Sequence, residues 1–283
     1  MSAPDWRFDA SRPAPARRYD ALLGGKDNLA PDRDSAEQIR EQLPSVGKAA
    51  AELRWFLQRV VHFLADDCGV RQFIDIGCGM PFTPSVHEIV QTVSPDSVVV
   101  YVDPDEMVAV HSRAMLVSHP DGAIRFVEGG LDDIDTVLSD PQVRGLIDFT
   151  QPVAVLLLAV LHFVDDDQHA AHALNRIIQA LPAGSYLAVS HVTFDPLPAD
   201  QARRLSKLAE PGSGHGPFRA RSHAQISALL DGLDLMPPGL VSAVDWYPHR
   251  HPQPQIKAEE AVAYGVVARI PATTGPGADG APA

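Results

Sequence analysis

The stretch Gln72-Phe73-Ile74-Asp75-Ile76-Gly77-Cys78-Gly79-Met80-Pro81-Phe82-Thr83-Pro84 decides the fold. Apolar and β-favouring residues lead to an acid, then to two glycines one residue apart, then to a threonine and a proline. That is the order strand, tight turn, helix start. Glycines at 77 and 79 open backbone conformations that side chains resist, and they let a ligand approach the main chain. Thr83 is placed to cap the next helix, with Pro84 at its first position. Asp75, at the strand's end, offers a carboxylate to a cationic or amine-bearing ligand. The pattern is that of a nucleotide-binding turn; a tight strand–helix turn with no ligand is the alternative.

Working outward, strands at 73–76, 98–102, 124–127, 153–158 and 186–190 alternate with helices at 84–93, 104–117 and 167–180. Such alternation implies a doubly wound, Rossmann-like α/β fold with a parallel sheet and a ligand outside the carboxyl ends of its strands. A dinucleotide-binding G-x-G-x-x-G needs a third glycine at position 82, where this chain has Phe82, so NAD is disfavoured. The acid-x-Gly-x-Gly-x-Gly pattern of S-adenosylmethionine (SAM) methyltransferases resembles Asp75, Gly77 and Gly79, with Pro81 in place of the last glycine.

Further candidates sit at the ends of the later strands. Asp103 ends the second strand, near the spacing at which an acid binds ribose hydroxyls; capping the next helix is its other reading. After the third strand, Asp132 follows Glu128-Gly129-Gly130-Leu131 and can accept from an adenine amino group. Residues 153–161 are nearly all apolar, as in a central strand buried on both faces, and deliver His162 to the carboxyl edge. An ordinary imidazole pKa near 6.5 suits general-base work. Its alternatives are a packed structural residue, or catalysis by alignment with no base at all.

Upstream, residues 1–15 read as a flexible arm and 16–69 as a helical extension or lid. Tyr19, Leu22 and Leu23 share a helical face that Gly24-Gly25 ends beside Lys26 and Asn28, either as a lid or as a capped helix with a solvated turn. Asp32 resembles the N-cap of a helix ending near Pro44, and a longer helix follows until Gly69. Residues 70–270 form the cofactor domain, with a mobile loop at 211–217, a capping box at Ser222–Gln225, last strands near 233–236 and 261–267, and a disordered tail at 271–283. Trp246-Tyr247-Pro248-His249-Arg250-His251 reads as a substrate wall or a surface turn.

Composition narrows the partners. The 283 residues are 45% hydrophobic and 21% charged, enough for a well-filled soluble domain. A net charge of −13 argues against a broad nucleic-acid surface. Cys68 and Cys78 are the only cysteines and no His/Cys cluster has zinc spacing, which points to no metal and to a reducing, cytoplasmic compartment. The apolar run at 153–161 is too short to span a bilayer.

Arg17-x-Tyr19-Asp20-x-Leu22-Leu23-Gly24-Gly25-Lys26-Asp27-Asn28 with Asp32-Arg33, the glycine turn through Pro81, Tyr101-Val102-Asp103, Ala159-Val160-Leu161-His162-Phe163, Leu181-Pro182-x-Gly184-Ser185-Tyr186-Leu187 and Ser190-His191 together resemble the actinobacterial S-adenosyl methyltransferase family, once described only as a domain of unknown function. The resemblance implies a class I methyltransferase fold: a seven-stranded sheet with a reversed last strand. It implies SAM as cofactor and methyl transfer to a small-molecule acceptor, with a non-catalytic SAM-binding sensor as the alternative. By motif, Gly77 and Gly79 would approach the methionine part, Asp103 the ribose and Asp132 the adenine. Asp75, Cys78, Pro104, Leu131 and Ala159 would complete the cofactor site, and Tyr19, Gly24, Gly25 and Asn28 would close over it.

Overall fold

The computed structural model describes residues 9–210, 213–250 and 256–272. Residues 1–8 of the arm, 211–212 of the glycine-rich loop, His251 of the aromatic–basic patch and 273–283 of the tail lie outside the described residues.

Three helices come first: α1 (Pro15–Leu22), α2 (Ala30–Gln42) and α3 (Val46–His62), the last running into a π turn over Phe63–Asp67 that Gly69 closes with a left-handed φ of 67°. The alternating part follows as β1 (Gln72–Ile76), α4 (Val86–Val93), β2 (Val98–Asp103), α5 (Glu106–Met115), β3 (Ala123–Glu128), α6 (Ile134–Ser139), α7 (Pro141–Leu146), β4 (Ala154–Leu158), α8 (Asp167–Ala180) and β5 (Tyr186–Val192). The chain ends with α9 (Ala199–Leu208), α10 (His223–Leu229), β6 (Asp234–Leu235), β7 (Val241–Ser242), α11 (Ala258–Ala261) and β8 (Ala263–Arg269).

Strands β1 to β5 are parallel in the order β3-β2-β1-β4-β5, and β8 runs antiparallel to β5 from Tyr186 opposite Arg269 to Val192 opposite Ala263. The reversed strand is therefore present, but the sheet has eight strands instead of seven. Beyond β8 the edge is split into β6 and β7, and Pro237 and Pro238 between them have no N–H with which to continue a ladder.

Side chains alternate across the strands. Ile74, Ile76, Val155 and Leu157 pack against α8, whereas Phe73, Val99, Leu156 and Val267 pack with Phe56, Val60 and Leu64 from α3 and the π turn. Strand order reverses between β1 and β4, whose register sets Asp75 opposite Leu156. That is the switch point at which the loops after both strands separate and leave a crevice.

Three local expectations change. The helix after the glycine turn starts at Val86, not Pro84, because Ser85 and Glu88 form a reciprocal capping box in which the Ser85 N–H donates to Glu88 Oε2 at 2.6 Å. Asp32 is the third residue of α2 instead of its cap. It is fully buried, accepting from the N–H groups of Leu29 (2.8 Å) and Ala14 (2.8 Å) and pairing with Arg17 at 3.1 Å. Trp246 is neither a substrate wall nor a surface residue. It is fully buried, edge-on to Phe56 and Phe63 with ring centroids 5.5 Å away in each case, and its carbonyl accepts from Arg59 Nε at 2.9 Å. Among the described residues no helix is long and apolar enough to cross a membrane.

Candidate functional site

A cavity of about 400 Å³ opens at the carboxyl ends of β1, β2 and β4, and residues of α1, α2 and α3 roof it. Its floor is the glycine turn. Gly77 and Gly79 have φ of 72° and 67°, in the left-handed region that favours glycine. The Gly77 N–H donates to Val102 O at 2.7 Å, which pins the turn to β2. A Cβ at Gly77 would stand 2.5 Å from Val160 Cγ2, so the loops leaving β1 and β4 approach too closely there for a side chain without a shift of Val160. At Gly79 a Cβ would meet nothing within 4 Å, since that face of the backbone looks into open space.

Two buried carboxylates flank this floor. Asp103 accepts from the Gly79 N–H at 2.9 Å through Oδ2 and from the Asp105 N–H at 3.0 Å through Oδ1, joining the two loops. The helix cap at α5 is Asp105, which accepts from the Met107 N–H at 2.8 Å. Burial pushes Asp103 up to about 6, against the pull of those two N–H donors. Asp75 is 4% exposed, and its carboxylate accepts no hydrogen bond among the described residues. Burial pushes it up to about 7; Arg54 opposes that shift and Asp103 adds to it. A buried acid without a protein donor, beside an open glycine floor, fits a ligand that brings a cationic donor of its own.

The remaining candidates divide into those that reach the cavity and those that do not. Cys78, Pro104, Leu131, Asp132 and Ala159 line it. The Cys78 thiol is held well above its ordinary pKa by burial, which keeps it protonated. Asp132 is at the rim, with an exposed side chain 3.5 Å from His169 Nε2. Ala159 has a left-handed φ of 58°, a strained conformation for alanine, and its N–H donates to Ser190 Oγ at 2.9 Å. Tyr19 also lines the cavity, and its hydroxyl donates to Ala50 O at 2.8 Å. Gly24, Gly25 and Asn28 do not. Asn28 Nδ2 donates to Asp20 Oδ2 at 2.7 Å and to Gly25 O at 3.0 Å, while its own oxygens accept from Arg33 Nη1 at 2.9 and 3.0 Å, closing a turn that ties α1 to α2.

His162 lies on the cavity wall in a short 3-10 turn, 4% exposed, and its Nδ1 has no partner among the described residues. Burial, His191, Arg18 and Arg221 all push its pKa well below the ordinary value, so the ring is neutral. Phe163 and Phe218 pack on it, with ring centroids at 4.4 and 5.2 Å.

Two site residues were missed by motif reading. Arg54 of α3 reaches the cavity and lies over the Phe82 ring at 5.1 Å, while Arg18 of α1 sits near Phe163 at 6.0 Å. The signal for Arg54 is a cation between Leu53 and Leu57 on an otherwise apolar helix face. Beyond His162 the walls turn apolar, with Phe163, Phe194, Leu205 and Phe218 drawn from distant segments.

A family model described as S-adenosyl methyltransferase matches residues 1–271. A DUF574 family protein from Streptomyces avermitilis is 36% identical over 94% of this chain and 100% of its own, with a TM-score of 0.88. A protein from Thermobifida fusca, described as a candidate methyltransferase, is 34% identical over 95% of this chain and 98% of its own, with a TM-score of 0.84. Among the curated proteins none matches. With a class I sheet, a glycine floor between two buried acids, and a family match over almost its whole length, the chain belongs to the S-adenosyl methyltransferase family and is a SAM-dependent enzyme.

Proposed function

We propose that the strand-edge half of the cavity holds SAM and the apolar half holds a small-molecule methyl acceptor. The observation that carries this reading is Asp75, a buried carboxylate with no hydrogen-bond donor among the described residues, set beside the open face of Gly79. Asp75 and Arg54 offer opposite charges to the ammonium and carboxylate of a methionyl group. The main chain at Gly77 and Gly79 lets that group come close, Asp103 retains lone pairs for ribose hydroxyls, and Leu131 with Asp132 faces the adenine end. Residues 16–69 serve as a roof that excludes water.

SAM supplies an electrophilic methyl group on a sulfonium, and the leaving thioether is neutral. The protein's task is then alignment, which can lower a barrier by roughly 7 to 11 kcal/mol when reacting groups are held at near-attack distance. His162 is a weak candidate for moving the acceptor's proton, because a protonated ring would stand near the Arg18 and Arg221 cations in a buried wall. Its neutral ring instead contributes an uncommitted nitrogen and a packed surface to the acceptor half.

Two measurements test this. S-adenosylhomocysteine (SAH) at 100 times its Kd should stabilise the protein by about 2.7 kcal/mol; an unchanged melting temperature in protein shown to be ligand-free would refute cofactor binding. His162→Gln should leave SAH affinity unchanged and lower methyl transfer by less than about tenfold. A loss of roughly 100- to 10,000-fold, with SAH affinity intact, would instead make His162 the general base.

A further inference from the structure

Four arginines are buried among the described residues: Arg17, Arg18, Arg59 and Arg221. Three meet a carboxylate: Arg17 with Asp32 at 3.1 Å, Arg59 with Glu52 at 2.5 Å and Arg221 with Asp167 at 2.8 Å. Arg18 is 5% exposed and forms no ion pair within 4.0 Å among the described residues. Its Nη1 donates to His215 O at 2.6 Å and to Ser35 Oγ at 3.3 Å, both neutral groups. Its Nε and Nη2 bond to no described residue, and the side chain lines the cavity.

That leaves one edge of the guanidinium fork free. Nε and Nη2 present two parallel N–H groups, the arrangement that takes a carboxylate in two hydrogen bonds at once. The location separates this cation from the cofactor's end of the cavity. Arg18 neighbours Phe163, His162 and His215, at the acceptor side, whereas Arg54 neighbours Asp75 and Phe82. A desolvated cation with no carboxylate in contact, supported only at longer range by Asp32, which is already paired with Arg17, is costly to maintain, and in an apolar chamber it favours a ligand that brings a negative charge.

We propose that the methyl acceptor is an apolar small molecule bearing a carboxylate, and that the free Nε–Nη2 edge of Arg18 holds this carboxylate in the chamber formed by Phe163, Phe194, Phe218 and Leu205. The proposal rests on the reading that SAM fills the strand-edge half. Burial lowers the Arg18 pKa to about 10, which leaves it charged at neutral pH.

The test uses 1-naphthoate and its uncharged analogue 1-naphthamide as probes, titrated calorimetrically into the full chain with and without SAH. Naphthoate should bind the parent about tenfold or more tightly than naphthamide, the difference expected when a charge-assisted hydrogen bond is present in one ligand and absent in the other. In Arg18→Met this preference should vanish while SAH affinity is retained, and Arg18→Lys should keep part of it, having the charge without the fork. Arg18→Met also removes the donor to His215 O and Ser35 Oγ, so its fold is checked by its melting temperature, and Arg18→Lys, which keeps a donor and the charge, carries the comparison should Met fail to fold. Naphthoate that binds the parent no better than naphthamide at millimolar concentration, including no binding of either, overturns the proposal. An Arg18→Met variant that loses SAH affinity instead also overturns it, by assigning Arg18 to the cofactor. Failure of the parent to bind SAH would count against the cofactor reading, and the probe comparison without SAH would still be readable.

Discussion

Asp75→Ala is expected to weaken SAH binding by about 1.5 to 3 kcal/mol, roughly ten- to a hundred-fold, because it removes a charge-assisted hydrogen bond to the ligand's ammonium. The same residue imposes a pH dependence on the parent. In the free protein burial holds Asp75 at about 7 and Asp103 at about 6, while a bound ammonium favours the ionised form of Asp75 and lowers its pKa. Below pH 7, binding must therefore expel a proton from Asp75, and affinity falls by up to about tenfold per pH unit, with Asp103 adding a further loss below about 6. Asp75→Ala has no such proton to expel, so its weaker affinity should be nearly flat from about pH 8 to about pH 6.5. Calorimetric titration of both proteins across this range reads the difference. A parent that binds SAH equally well at both ends would mean that Asp75 does not face the ammonium.

Gly77→Ala should lower folding stability by about 2 to 5 kcal/mol. About 1 to 2 kcal/mol comes from forcing alanine into a left-handed conformation, and about 1 to 3 from overpacking where its Cβ would stand 2.5 Å from Val160 Cγ2. Gly79→Ala provides the contrast, since its Cβ meets no protein atom within 4 Å. It should carry only the conformational cost of about 1 to 2 kcal/mol, yet lose more SAH affinity than stability because the methyl enters ligand space. Denaturant unfolding of the two variants with and without SAH separates these effects. Equal losses of stability in both would show that the loops after β1 and β4 can move apart at Gly77 and Val160.

The parts of the fold legible in the sequence are those written by neighbouring residues. The β1 turn announces itself because a strand, an acid and two glycines follow one another, and the carboxyl end of β4 is marked by the end of an apolar run at His162. Elements without local periodicity stay hidden, such as the two-residue strands β6 and β7. Asp32 has the chemistry of a cap, but its burial against Arg17, fifteen residues away, decides its place. The aromatic cluster at Trp246 looks like a surface patch until Arg59 of α3 binds the carbonyls of Ala243 and Trp246 and draws the ring inward.

The site follows the same division. Asp75, Gly77, Gly79 and Asp103 are readable because they lie on consecutive strand ends, and the structure brings them together on one cavity. Arg18 and Arg54 are not, because each matters only through what surrounds it in space. Gly24, Gly25 and Asn28 form a distinctive motif, but its hydrogen bonds turn inward to Asp20 and not toward the cavity. Their contribution is to hold α1 in place, with Arg17 bonded to both Asp32 and Asp105.

The most direct test of the account is hydrogen exchange with and without SAH, measured peptide by peptide. Protection should rise at residues 75–79, 103–105 and 158–163, and in α1 over Pro15–Leu22, which roofs the cavity, while α8 and α10 on the opposite side of the sheet should not change. A ligand that raises the melting temperature yet leaves those segments unchanged, or protects only segments remote from the carboxyl ends of β1 and β4, would contradict it.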